Sequence, residues 1–407
     1  MKRWLSGGCL GACLWTWAAA SPAQTVAAPK PRWVSGFYVG YMAAAYPPAA
    51  IDFSSLTHIM VFAILPQRDA TLDTRLFIDP LGGPRLAQEI ATRAHAAGRK
   101  AILTVGGSGS GGGFQGATSP ANMNAFVRNL VELVTRWGFD GVDLDWEPLL
   151  TVDQPVMLAL VQKLKAAKPD LIITADVSYQ NANFPFNAGD GRFYAQLAGL
   201  VDQMNMMTYG MSDSWDGWAV WHSSAVIGEG PDHPTSVQAS ARAYLAAGVP
   251  AAKLGMGIGF YGSCWSAPAT GPLQKPLGAH VTASDNDISI AAIKNVYRAD
   301  RYHYDASAQA PYLSFTVPTG SHKCTFISYE DETSVAEKGR YAVKAGLGGT
   351  IIWQLNEGYV IGEPDPDSLL HAVGRAFGVT RSAAPATPSN RRESPEPSPA
   401  SPKRIPQ

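Results

Sequence analysis

The chain has 407 residues, with 32 Lys and Arg against 33 Asp and Glu, and its formal net charge is −1. This balance argues against a nucleic-acid-binding protein, which normally carries a basic excess. Apolar residues make up 46% of the chain, enough for a large core. Beyond the N-terminus there is no apolar run of about 20 residues, which excludes a multi-span membrane protein.

Residues 1–23 are typical of a secretory signal peptide. Lys2 and Arg3 precede an apolar run over Cys9–Ala20, and small residues follow at Ser21 and Ala23. An N-terminal anchor helix is the alternative, but the apolar run is too short to span a bilayer. We therefore expect a protein secreted to the extracellular space or the periplasm, with no membrane association.

Residues 30–380 alternate short β-rich runs with helical patterns. The predicted strands are Val34–Tyr41, His58–Leu65, Lys100–Val105, Phe139–Trp146, Leu171–Val177, Val201–Thr208, Lys253–Phe260 and Thr350–Gln354. The predicted helices are Pro84–Ala97, Pro120–Trp137, Pro155–Ala167, Phe193–Leu200, Ser236–Ala247, Ser334–Ala345 and Ser368–Phe377. Eight such repeats predict an α/β fold, a (β/α)8 TIM barrel, with an open doubly wound sheet as the alternative.

The connection after the seventh strand is too long for a simple loop. Residues 262–323 therefore predict a small insertion subdomain. Cys264 and Cys324 flank this segment, and in an oxidising compartment they could form a disulfide or remain separate buried thiols. Residues 381–407 are rich in Pro and Ser and show no apolar periodicity, which predicts a disordered tail.

The fourth predicted strand is acidic on one face. Because side chains alternate along a strand, three acidic residues share one face and three apolar residues share the other. The acidic set is Asp143, Asp145 and Glu147, and the apolar set is Val142, Leu144 and Trp146. The apolar set suits packing on helices, so the carboxylates would point into the barrel, where branched apolar side chains are usual.

Three carboxylates inside a barrel repel one another. Alternate residues lie about 6.6 Å apart, and at an effective dielectric constant near 20 each neighbouring charged pair costs about 2.5 kcal/mol. At least one carboxyl should therefore stay protonated near neutral pH and be able to donate its proton. A solvent-facing acidic edge strand is the alternative, but it does not explain the apolar partner face.

The segment from Asp140 to Glu147 resembles the DxxDxDxE signature of family 18 glycoside hydrolases, the chitinase family. Further segments resemble the same family in the same order. They are Thr104–Gly107 for SxGG, Met207–Gly210 for MxYD, Gly255–Gly262 for the seventh strand and Gly348–Trp353 for the eighth.

The resemblance implies catalytic roles for four residues. Glu147 would be the general acid, and the substrate's own N-acetyl group would replace a second carboxylate as the nucleophile. Asp145 would orient that acetamido group, Asp143 would share a proton with Asp145, and Tyr209 would hydrogen-bond the acetamido group. Asp140, which has the opposite strand parity to Asp143, is expected to brace the start of the strand.

Gly210 departs from the family pattern, which often has Asp there, and Asp213 is a candidate substitute. Trp353 should form the floor beneath the reacting sugar, because aromatic rings stack on the apolar face of a pyranose. The three tryptophans of the loop after the sixth strand could contact sugar or form a helical core stripe. The complete expected substrate-binding set is Trp353, Tyr41, Phe62, Met207, Gly107, Trp215, Trp218 and Trp221.

Other motifs carry less weight. Residues 107–112 match GxGxxG, but the helical pattern begins only near Pro120, so we expect a cleft loop and no nucleotide cofactor. The scattered histidines give no metal-ligand pair, so we expect no metal. Glu330 and Asp331 resemble family residues at the end of the inserted segment, but a solvated turn is the favoured expectation.

The resemblance implies a monomeric chitinase acting on chitin or N-acetylglucosamine oligosaccharides. An endo-β-N-acetylglucosaminidase acting on glycans or peptidoglycan uses the same acidic signature and is one alternative. A chitinase-like lectin is the other, although such lectins typically lose the acid at the position of Glu147.

Overall fold

Eight parallel strands form a closed barrel in the computed structural model, which describes residues 32–215, 217–297 and 301–379. The strands are β1 Trp33–Val39, β2 His58–Pro66, β3 Lys100–Gly107, β4 Gly141–Trp146, β5 Ile172–Ser178, β6 Gln203–Met207, β7 Leu254–Gly259 and β8 Gly349–Trp353. Each strand pairs with the next, and β1 pairs with both β2 and β8. The predicted TIM barrel is confirmed. The expected signal peptide at 1–23 and tail at 381–407 lie outside the described residues.

Helices surround the barrel. They are α1 Gly82–Ala96, α2 Gly111–Ala117, α3 Met123–Trp137, α4 Gln154–Ala167, α5 Ala188–Leu200, α6 Val237–Ala246, α7 Ile290–Ala292, α8 Glu332–Ala345, α9 Leu355–Gly358 and α10 Ser368–Phe377. In α3 the buried side chains recur every three or four residues, for example at Phe126, Leu130 and Val134. Gly138, the residue after the end of this helix, has a φ of 76°, in the left-handed region that favours glycine. The short helices α2, α7 and α9 are not evident from the sequence pattern.

A five-stranded antiparallel sheet is inserted between β7 and β8. Its strands, in spatial order, are Val281–Ala283, Ser263–Trp265, Cys324–Ser328, Ala310–Thr319 and Tyr302–Asp305. The last strand in sequence lies beyond the expected boundary at residue 323. A disulfide joins Cys264 to Cys324, with an S–S distance of 2.07 Å, so the structure supports the pairing rather than two separate thiols.

The outward face of β4 packs against the helical layer. Val142 and Leu144 are fully buried in the main hydrophobic core. Trp146 stacks on Phe114 of α2, with ring centroids 4.6 Å apart and planes 8° apart. This packing fixes the parity of β4 and directs its acidic residues into the barrel. Within the described residues, no helix combines the length and apolar character needed to cross a membrane.

Candidate active site

Asp143 lies in the barrel interior, held by threonines from the strands on either side. In the strand register it is level with Thr104 of β3 and Thr174 of β5. The Thr174 hydroxyl donates to Asp143 Oδ1 at 2.5 Å, and the Thr104 hydroxyl donates to Oδ2 at 3.3 Å. Asp143 is fully buried and Asp145 is 4% exposed, so both point inward as the parity of the strand predicts.

Glu147 follows the last residue of β4 at the C-terminal mouth of the barrel, where barrel enzymes place their chemistry. The glycine-rich loop anchors this position: Gly111 N–H donates to the Glu147 carbonyl at 2.9 Å, and the Ser110 hydroxyl donates to the Asp145 carbonyl at 3.2 Å. The loop therefore holds the acidic strand in place. The expectation that no helix begins before Pro120 is wrong, because α2 starts at Gly111.

Burial raises the pKa values of the acidic residues in this row. Desolvation raises the pKa of Asp143 to about 6, although hydrogen bonds from Thr174 and its other neighbours oppose the rise. The pKa of Asp145 lies well above its ordinary value, first through desolvation and then through repulsion from Glu147 and Asp143. Desolvation also raises the pKa of Glu147, which suits a group that must donate a proton.

A fourth carboxyl, Asp176 on β5, joins the cluster and was not among the predicted site residues. Desolvation and the negative charges of Asp143 and Asp145 raise its pKa well above the ordinary value. The signal was strand parity, because Asp176 lies two residues after Thr174 and therefore faces the same side of β5. A single acid in a mostly apolar strand attracts less attention than a row of three.

Asp140 lies before the start of β4 and bonds outside this cluster. Its carboxylate accepts from Lys100 Nζ at 2.7 Å and from the Ala101 N–H at 2.9 Å, and it pairs with His95 at 2.8 Å. These contacts connect the beginning of β4 to β3 and α1. They agree with the expected bracing role of Asp140.

Tyr209 lies just beyond β6, beside a second tyrosine, Tyr261, that the sequence analysis did not select. The two ring centroids are 6.1 Å apart. Burial raises the pKa of Tyr209 well above its ordinary value, and the negative charge of Asp176 raises it further. The hydroxyl therefore keeps its proton and stays a hydrogen-bond donor. Gly210 adopts a φ of +59°, in the region where a side chain is strained. Asp213, the candidate substitute, is exposed and accepts from the Ser214 N–H.

Trp353 ends β8 in an aromatic setting. Its ring centroid lies 4.9 Å from that of Phe62, edge to face, and 5.3 Å from that of Phe37. Met207 packs in the same cluster. A Cβ on Gly107 would lie 2.7 Å from the Phe62 ring, so glycine is needed for this close approach. Four of the expected substrate-binding residues therefore lie together at the barrel mouth.

The remaining expected contacts separate into exposed and buried groups. Tyr41 is 42% exposed and packs edge-on against Phe77, and Trp215 is 36% exposed. Trp218 is half-buried, 6.0 Å from the exposed ring of Phe184.

Trp221 is 1% exposed, and its indole N–H donates to the Thr235 carbonyl at 2.9 Å. A ring buried to this extent has no face left for a sugar. The expectation that Trp221 binds substrate is therefore wrong, and the side chain packs with Ala225, Ala308 and Ala310.

Glu330 also departs from expectation. It is 2% exposed and forms an ion pair with the fully buried Lys338 of α8, so it does not lie in a solvated turn. Lys338 also donates to the Ser224 hydroxyl at 2.7 Å. Asp331 caps α8 by accepting from the Ser334 N–H at 2.8 Å. The pair joins α8 to the loop that follows β6.

A row of carboxyls with raised pKa values toward the C-terminal mouth of a (β/α)8 barrel that also has an aromatic cluster at the end of β8 is typical of a glycoside hydrolase. In the described part of the chain, no group of three or more His, Cys, Asp or Glu residues is placed to hold a metal ion. The model of Glycosyl hydrolases family 18 matches residues 36–358. The chain therefore belongs to this family.

Two curated relatives share about a third of their aligned residues with this chain. A probable endochitinase from Caenorhabditis elegans is 31% identical over 63% of this chain and 43% of its own length. Chitinase A1 from Niallia circulans is 32% identical over 63% of this chain and 40% of its own length. The chain thus spans less than half of these two relatives.

Solved structures share the fold. A chitinase from Rhizomucor miehei superposes with a TM-score of 0.70 at 22% identity, covering 85% of this chain and 100% of that chain. A mutant class V chitinase from Nicotiana tobaccum in complex with NAG4 superposes with a TM-score of 0.70 at 20% identity, covering 85% and 99%.

Proposed function

We propose that this protein is a secreted, monomeric chitinase that hydrolyses β-1,4 bonds between N-acetylglucosamine units with retention of configuration. The observation that carries the proposal is the pairing of Glu147, a half-buried acid with a raised pKa, with Asp145, whose buried Oδ1 has no hydrogen-bond partner among the described residues. A buried oxygen left without a partner is costly, and an amide N–H of a bound substrate would satisfy it. The chitinase relatives support the same substrate class.

The geometry supports a substrate-assisted mechanism. Glu147 donates its proton to the glycosidic oxygen as the bond to the anomeric carbon breaks. The acetamido oxygen of the same sugar attacks that carbon and forms an oxazolinium ion, while Asp145 accepts the acetamido N–H. Glu147, now a carboxylate, removes a proton from the water that opens the ring, which restores the acid and retains the configuration.

Two aromatic residues complete the site. Tyr209 donates its hydroxyl to the acetamido oxygen, and its raised pKa keeps that proton in place. Trp353 stacks on the apolar face of the sugar, and its ring packs edge to face against Phe62.

Secretion is supported by two independent features. The N-terminal 23 residues have the charge, apolar run and small residues of a signal peptide. The Cys264–Cys324 disulfide is a bond that forms and persists in oxidising compartments. Detection of the mature protein outside the cytoplasm, with an N-terminus near residue 24, is the expected result.

The test of the function compares Glu147→Gln with Glu132→Gln, an exposed glutamate on α3, on N-acetylglucosamine hexamers. We expect the first variant to lose activity by at least about 100-fold, because general acid catalysis contributes at least this much, and the second to match the parent. Mass spectrometry identifies the products and NMR identifies their anomeric form. Equal hydrolysis by Glu147→Gln, or binding without turnover by the parent, would overturn the proposal.

A further inference from the structure

Asp176 occupies a defined place in the strand register of the active site. Thr174 of β5 lies opposite Asp143 of β4, so Asp176, two residues further along β5, lies at the level of Asp145. On its other side Asp176 pairs in register with Asn205 of β6. The β5 strand therefore brings a fourth carboxyl to the same layer of the barrel interior as the acidic row of β4.

The four carboxyls form two hydrogen-bonded pairs. Asp143 bonds to Asp176, and Asp145 bonds to Glu147. Each carboxyl pair needs one proton. Asp143 already accepts from two threonine hydroxyls, so Asp176 is the donor in the first pair, in agreement with a bond that lowers the pKa of Asp143 and raises that of Asp176. In the second pair Asp145 and Glu147 share one proton, which is the proton that Glu147 donates in the proposed mechanism.

Asp143 is thereby saturated with donors. Its carboxylate accepts from the hydroxyls of Thr174 and Thr104 and from Asp176. A fully buried carboxylate needs such donors, because each missing one leaves it without compensation for lost water. Asp143 therefore needs no bond from Asp145. Asp145 bonds to Glu147 instead, and its Oδ1 has no hydrogen-bond partner among the described residues.

We propose that Asp176 is a positioning residue: by bonding Asp143, it keeps Asp145 turned toward Glu147 and toward the place of the substrate's acetamido group. The proposal rests on the proposed function, in which Asp145 receives that group. Without Asp176, the nearest carboxyl that can share a proton with Asp143 is Asp145, two residues away on the same face of β4. Asp145 would then turn inward to Asp143 and leave Glu147 and the substrate.

The groups that face Asp176 all bear on its titration. They are the carboxyls of Asp143, Asp145 and Glu147 and the hydroxyl of Tyr209. Because the bond from Asp176 lowers the pKa of Asp143, its loss raises that pKa. If catalysis uses the ionised form of Asp143, the acidic limb of the rate profile moves to higher pH when Asp176 is removed. The apparent values belong to the coupled cluster rather than to one residue.

The experiment compares Asp176→Ala with Asp176→Asn on a chromogenic glycoside of an N-acetylglucosamine dimer. The matched control is Asp202→Ala. Asp202 lies just before β6 and accepts from the Ile173 N–H near the start of β5, at the end of the strand away from the active site. We expect kcat to fall by about 10- to 100-fold in Asp176→Ala, as for a misplaced catalytic group, with its acidic limb at higher pH. Asp176→Asn, whose amide still donates to Asp143, should keep kcat within about threefold of the parent, and Asp202→Ala should keep the parental pH profile.

Two results would overturn the inference. One is a parental kcat and pH profile in Asp176→Ala, and the other is an equal loss in Asp176→Asn and Asp176→Ala. A crystal structure of the unliganded parent supplies a test without any variant: Asp145 bonded to Asp143 instead of Glu147 contradicts the inference. A parent that hydrolyses neither the glycoside nor the hexamers refutes the proposed function, whereas the orientation of Asp145 in that crystal structure still decides the role of Asp176.

Discussion

The indole N–H of Trp353 donates to Asp285 Oδ1 at 2.8 Å, which connects the last strand of the barrel to the inserted subdomain. Asp285 has a φ of +48°, so its backbone adopts the left-handed conformation that Asp and Asn tolerate better than most residues. Gln354, the residue after Trp353, donates to Asn286 Oδ1 at 3.2 Å and to Glu357 at 3.0 Å. Two residues of the insertion, Asp285 and Asn286, thus hold Trp353 and its neighbour Gln354 in position.

Trp353→Phe should separate stacking from this hydrogen bond. The phenyl ring keeps an apolar face but has no N–H for Asp285, so we expect KM for N-acetylglucosamine oligomers to rise by about fivefold, in line with the loss of one hydrogen bond worth about 1 kcal/mol. Trp353→Ala removes the ring as well and should raise KM by a further factor of at least about 10. Asp285→Asn keeps the acceptor and serves as the control. Parental kinetics in Trp353→Ala would show that this ring does not bind sugar.

The alternating strands and helices of the barrel could be predicted from the sequence, because each has a regular apolar pattern. The barrel strands have contrasting apolar and polar runs, and the alternation along β4 was enough to predict that Asp143 and Asp145 point into the barrel, where both are buried. Isolated features were missed because they depend on tertiary packing. Asp176 is a lone acid on its strand, and the three-residue spacing of the loop tryptophans did not show that Trp221 is buried while Trp218 is not.

The pairing of Glu330 illustrates the same limit. Its partner Lys338 lies two helical turns later, and an acidic pair before a helix usually indicates a solvated cap. Asp331 does act as that cap, whereas Glu330 turns into the core. No local pattern distinguishes the two acids, because Glu330 follows the buried amine of Lys338, and that amine also donates to the Ser224 carbonyl in another loop.

Lys338→Met should destabilise the protein by about 3–5 kcal/mol, because it leaves the buried carboxylate of Glu330 without its counter-charge. Lys344→Met, an exposed lysine on the same helix, is the control and should change stability by less than about 0.5 kcal/mol. Urea denaturation followed by circular dichroism measures both. The double variant with Glu330→Leu should recover part of the loss, and a double variant less stable than Lys338→Met would contradict this explanation.

Asp143→Asn should stabilise the protein at neutral pH while impairing activity. Burial raises the pKa of Asp143 from 3.8 to about 6 in the folded state, so the folded protein binds this proton more tightly than the unfolded chain does. Protonated Asp143 therefore contributes to the free energy of unfolding below pH 4, and this contribution is lost as the carboxyl ionises while the pH rises through about 6. The amide is neutral at every pH, so the variant should melt above the parent at pH 7 and near it at pH 4. A variant that melts lower than the parent at pH 7 would contradict the proposed desolvation of the carboxylate.

The disulfide between Cys264 and Cys324 closes a loop across 60 residues of sequence. In the chain-entropy model a loop of this length stabilises the folded state by about 4 kcal/mol. We therefore expect the paired variant Cys264→Ala with Cys324→Ala to melt several degrees below the parent. Heating the parent with a reductant should reproduce that shift, and the variant should not respond to the reductant. An unchanged melting temperature in both experiments would show that the bond contributes no stability.

The neighbouring tryptophans Trp218 and Trp221 allow binding and packing to be compared within one loop. Trp221→Ala removes a ring that is 1% exposed and should lower stability by about 3–5 kcal/mol. Trp218→Ala removes a half-buried ring beside the exposed Phe184, so it should leave the melting temperature within a few degrees and raise KM for longer N-acetylglucosamine oligomers by about 3- to 10-fold. Thermal denaturation and oligomer kinetics on both variants give the comparison. If Trp218→Ala melts as low as Trp221→Ala and its KM equals that of the parent, both rings are core residues, and Trp215 is the one tryptophan of this loop still predicted to bind sugar.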